Sequence, residues 1–119
     1  MKTLALALAC VLVLAGCGSS ATDGDRNLYK PMNVDIVLKD GKVTPQGKRV
    51  QVHADQVIRL HVTSDRADEI HVHSTPEHEY EVAKGMTDKI FTFVIDTPGQ
   101  VAVESHGLDV TIVQLVVRP

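Results

Sequence analysis

The chain has 119 residues, a formal net charge of −3, 44% hydrophobic residues and two cysteines. That is enough for one small domain, and the acidic balance argues against nucleic acid and against a polybasic grip on anionic lipid. With two tyrosines, two phenylalanines and no tryptophan, an aromatic sugar-binding platform has little to be built from.

Lys2 and the apolar run over residues 4–13 read as a secretory signal peptide, too short for a stable transmembrane helix. The run closes on Leu14-Ala15-Gly16-Cys17. This resembles the lipobox of bacterial lipoproteins, in which the cysteine becomes the lipidated N-terminus of the mature chain. The implied organisation is a signal peptide over 1–16, a lipidated Cys17, a flexible tether over 17–30 and a domain over 31–119. Small polar residues such as Gly18, Ser19, Ser20 and Thr22 give the tether its character. The protein is then expected in the cell envelope, held to the membrane by lipid and facing outside the cytoplasm. Cys10 leaves with the signal peptide, so the domain has no disulfide and no thiolate for a metal.

From residue 34 the sequence predicts short strands between turn signals. Residues 34–38 run into Asp40-Gly41, a strong hairpin signal. Val50 and Val52 alternate with polar residues, as do Ile58, Leu60 and Val62, which predicts two strands, the second with Ile58 and Leu60 inside. Ser64 to Asp68 is a polar turn, and Thr75-Pro76 ends the strand that follows it. Tyr80 and Val82 mark a further strand. Residues 90–94 are rich in β-formers and stop at Asp96-Thr97-Pro98-Gly99. Val101 and Val103 form the next strand, His106-Gly107 turns, and residues 110–117 are the last. No helical stripe appears after the signal peptide. The expected fold is all-β: an antiparallel Greek-key β-sandwich of seven to eight strands.

Three of the six histidines lie in Asp68-Glu69-Ile70-His71-Val72-His73-Ser74-Thr75-Pro76-Glu77-His78-Glu79. Alternation puts Ile70 and Val72 in the core, with Glu69, His71 and His73 sharing the other face. Residues two apart on a strand are separated by about 6.5–7 Å at Cα, so both imidazoles can converge on one ion. On a helix they would diverge. Glu77, Glu79 and Glu81 read as a solvated edge that discourages aggregation, and His53 and His61 as parts of polar faces on other strands.

Several segments together resemble a cupredoxin-like domain, of the bacterial envelope type related to the EfeO cupredoxin domain. They are Gly41-Lys42-Val43-Thr44-Pro45, residues 57–65, the stretch from Asp68 to His73, Phe91-Thr92-Phe93, Thr97-Pro98-Gly99 and Val103-Glu104-Ser105-His106. The resemblance implies a copper ligand at His71 or His73 and a second at His106. The ligating cysteine of a blue-copper site is missing near Glu104, and residues 107–110 offer no axial methionine. The residues left to hold an ion are His71, His73 and His106, with His78 or Glu104 as a fourth. Copper(II) or zinc suits that donor set.

Enzyme chemistry is not expected. Ser105-His106 are neighbours in sequence only, and no glycine-rich phosphate loop is present. Two readings stay open: an envelope protein binding a transition metal through histidines, and a metal-free interaction module for another envelope protein.

Overall fold

The computed structural model describes residues 29–119. The expected signal peptide, Cys17 and the tether up to residue 28 lie outside the described residues. Among these residues there are nine strands and no helix: β1 Met32–Lys39, β2 Lys42–Thr44, β3 Lys48–His53, β4 Ile58–Ser64, β5 Asp68–Val72, β6 His78–Val82, β7 Lys89–Phe93, β8 Gly99–Ser105 and β9 Val110–Arg118. The strand beyond the expected seven to eight is β2, a three-residue piece. It is folded onto β1 by the Asp40-Gly41 turn, where both residues have positive φ (53° and 71°), as a tight hairpin of this hand requires.

The strands form two sheets, ordered β2-β1-β4-β7 and β3-β9-β8-β5-β6. The chain crosses repeatedly between them, so two neighbours run parallel: β1 beside β4 and β3 beside β9. The sandwich is therefore mixed, and antiparallel pairing holds for the remaining neighbours. Its inner faces meet over a branched aliphatic core that includes Ile36, Ile58, Leu60, Ile70, Val72 and Ile112, all fully buried. Period-two alternation sends these side chains inward and the intervening polar ones out.

One side of the sandwich is closed by rings. Tyr80 on edge strand β6 stacks on Phe91 of edge strand β7 (4.6 Å between centroids, 23° between planes). His78 packs against Phe93 at 5.4 Å. Burial at this seam pushes the Tyr80 hydroxyl above its usual pKa.

Candidate metal centre

β5 carries the site on the sheet face turned away from the core. Ile70 and Val72 point inward and are fully buried. His71 points outward, yet it is only 8% exposed, where alternation alone predicts a solvated residue. The cover comes from neighbouring strands and loops. In register, His71 lies between Glu79 of β6 and Glu104 of β8. His106 enters from the turn after β8, where its backbone N–H donates to the Glu69 carbonyl (3.0 Å). His73 lies just past the end of β5, held by a hydrogen bond from its N–H to the Ala102 carbonyl (2.9 Å).

The three imidazoles meet. The rings of His71 and His73 are 4.1 Å apart, and those of His71 and His106 are 4.9 Å apart and nearly perpendicular. Each ring reaches a carboxylate. His71 Nε2 lies 3.1 Å from Glu77 Oε2, His73 Nε2 lies 2.8 Å from Glu104 Oε2, and His106 Nδ1 lies 2.7 Å from Glu69 Oε1. One donor atom from each of His71, His73 and Glu77 falls within 4.8 Å of the others. Zinc-type bond lengths put the ligand atoms of a tetrahedral ion about 3.3–3.5 Å apart, so a modest inward closure of exposed Glu77 and half-exposed His73 suffices. Three protein ligands leave a fourth position facing solvent. The surrounding glutamates favour a dication.

The turn carrying His106 is pinned from beneath. Asp68, its side chain fully buried, accepts hydrogen bonds from the Glu69 N–H (2.7 Å), the Gly107 N–H (2.8 Å) and the Ser105 hydroxyl (2.7 Å). Ser105 Oγ in turn accepts from the Leu108 N–H (3.1 Å). Ser105 is thus tied to Asp68, and no hydrogen bond joins it to His106.

The sequence matches no family model, and no curated protein matches it. Solved structures do resemble the sandwich. The purple cupredoxin from Nitrosopumilus maritimus aligns with a TM-score of 0.51 at 12% identity, over 73% of this chain and 99% of its own. The copper nitrite reductase from Nitrosomonas europaea gives 0.54 at 16%, and the multi-copper oxidase from Pseudomonas thermotolerans 0.53 at 15%. The fold is cupredoxin-like. This chain spans only 42% of the nitrite reductase chain and 30% of the oxidase chain, and identities this low concern the fold alone.

The cupredoxin-like sandwich lacks the donors of a blue-copper site. Among the described residues there is no cysteine. Their two methionines are Met32, which opens β1 in the other sheet, and Met86, which packs against the core between β6 and β7. A thiolate site does not fit these residues, whereas an imidazole and carboxylate site does.

Of the residues expected to ligate, the structure gathers His71, His73 and His106 and leaves His78 apart. His78 is in register with Val72, so it sits on the core-facing side of β6 among Tyr80 and Phe93. Glu104 is present, bonded to His73. His61, on β4 in the opposite sheet, contacts Asp88 and Asn33 instead, and His53 stacks on Tyr29. In the sequence Glu77 reads as part of a solvated edge. The turn through Ser74 and Pro76, closed by the Ser74 hydroxyl on the Pro76 carbonyl (2.6 Å), brings it back over His71. Its spacing of six residues from His71 carries no signal without that turn.

Proposed function

We propose that this is a lipid-anchored cell-envelope protein whose cupredoxin-like domain binds a divalent transition metal, Cu(II) or Zn(II), through His71, His73 and Glu77 rather than through a blue-copper site. The observation that carries the reading is the convergence of those three side chains within 4.8 Å on an acidic sheet face. The role is binding and handling of the ion rather than catalysis. The EfeO-type kinship and the anchor rest on the sequence segments quoted above, and the anchor on Leu14-Ala15-Gly16-Cys17 in particular.

Calorimetric titration of the full chain with Cu(II) and Zn(II) tests the metal reading. We expect one ion per chain, with binding lost in H71A/H73A and retained in H53A, whose ring lies on another strand. Bound Cu(II) should lack the intense thiolate absorption of a blue site. Equal binding by wild type and H71A/H73A would remove these residues as ligands.

The anchor has its own test. Cys17→Ala should leave the precursor unlipidated and move the protein out of the membrane fraction. Unchanged fractionation and electrophoretic migration would sink the lipoprotein reading.

A second reading, a metal-free module that docks on another envelope protein, draws support from one feature. His71, His73 and His106 each already meet a carboxylate, so the cluster is satisfied by hydrogen bonds without an ion. Absence of specific binding in the titration would favour it.

A further inference from the structure

We infer that His106 acts as a positioning residue, not as a ligand: with Glu69 it forms a hydrogen-bond relay that holds His71 in the tautomer presenting Nε2 to the ion. This rests on the reading that His71, His73 and Glu77 are the ligands. The relay runs Glu69 Oε1 to His106 Nδ1 (2.7 Å), then His106 Nε2 to His71 Nδ1 (3.0 Å). A carboxylate only accepts, so His106 Nδ1 carries the hydrogen. In a neutral ring the other nitrogen is then an acceptor, and His106 Nε2 takes the hydrogen of His71 Nδ1. Without an ion, His71 Nε2 and Glu77 Oε2 share a hydrogen bond at 3.1 Å that needs a proton between them. An incoming dication displaces that proton, and with Nδ1–H held by the relay, His71 Nε2 offers its lone pair to the ion. The perpendicular ring planes of His71 and His106 suit an edge-to-edge N–H···N contact of this kind.

His73 is set the opposite way by the same logic. Its Nε2–H donates to Glu104 Oε2 (2.8 Å), which leaves Nδ1 bare, 3.9 Å from Glu77 Oε1. Both ligand nitrogens therefore point at Glu77. The two nitrogens of one imidazole point away from each other, so an ion on the Nε2 side of His71 is out of reach of His106, which is bonded to Nδ1. This departs from the expectation, implied by the family resemblance, that His106 ligates directly. An orienting partner on the far nitrogen of a metal-bound histidine usually changes affinity about 10–100-fold.

The test compares wild type, His106→Ala and His106→Gln, each as the full chain, by Cu(II) calorimetry and by pulsed electron paramagnetic resonance counting coupled imidazoles. His106→Ala should weaken binding by about 10–100-fold while keeping one ion and two coupled imidazoles. His106→Gln, whose amide oxygen can accept from His71 Nδ1–H, should recover much of the loss. Nitrogen NMR of the Zn(II) form should show His71 protonated at Nδ1 and metal-bound at Nε2. Wild-type coupling to three imidazoles, falling to two in His106→Ala, would show His106 to be a ligand and overturn the relay while leaving the metal reading intact. Unchanged affinity in His106→Ala would also overturn it. No binding by wild type would overturn the metal reading itself, and the relay role with it.

Discussion

Leu60→Ala lowers the unfolding free energy by about 2–5 kcal/mol, the range for truncating a buried leucine. Leu60 is fully buried at the middle of β4, a central strand flanked by β1 and β7. Removing its branched end leaves a void lined by the opposite sheet, and two hydrogen-bonded sheets cannot readily collapse to fill it. Small domains hold only about 5–15 kcal/mol in total, so chemical denaturation should show a clear fall in midpoint with little change in slope. An unchanged midpoint would place Leu60 outside the core and mean that the strand phase is wrong by one residue.

The second large effect concerns Asp68. Asp68→Ala leaves the Ser105 hydroxyl, almost fully buried, without its acceptor, at a cost of about 1–3 kcal/mol. The Glu69 and Gly107 N–H groups lose the same carboxylate, but Gly107 is exposed and can turn to water. Gly107→Ala attacks the same contact from the other side. A Cβ there would lie 2.9 Å from the Asp68 carboxylate atoms, closer than packed atoms tolerate, so the carboxylate or the turn must shift. Both variants should lower stability and loosen His106. Backbone amide exchange at Leu108, whose N–H donates to Ser105 Oγ, should speed up in each. Wild-type protection there would show that Asp68 does not hold the turn.

Most of the strands were legible because β-structure writes a local signal. Alternating Ile58, Leu60 and Val62, the Asp40-Gly41 turn and the Pro98-Gly99 stop each act over a few residues, and each lies where the pattern put it. Sheet membership was not legible. Whether β4 pairs with β1 in parallel or with a sequence neighbour depends on crossings between layers, and no short window records those.

The site divides the same way. By itself the sequence determined that Ile70 and Val72 face inward and His71 outward, because the side-chain period of a strand is fixed at two. It also showed that residues 31–119 contain no thiolate, because the chain's two cysteines stand at positions 10 and 17. Only the tertiary structure decided the rest. It buried His71 on a face that alternation calls solvated, turned His78 to the core side through its pairing with Val72, and returned Glu77 from a presumed edge to His71. It set His106, which the family resemblance already implied beside His71, in the turn after β8 with Nε2 3.0 Å from His71 Nδ1. The physical reason is that alternation sets only the side of a strand, while a metal centre requires atoms within a few ångströms, and that is set by which strands pair, in what register, and where their loops fold back.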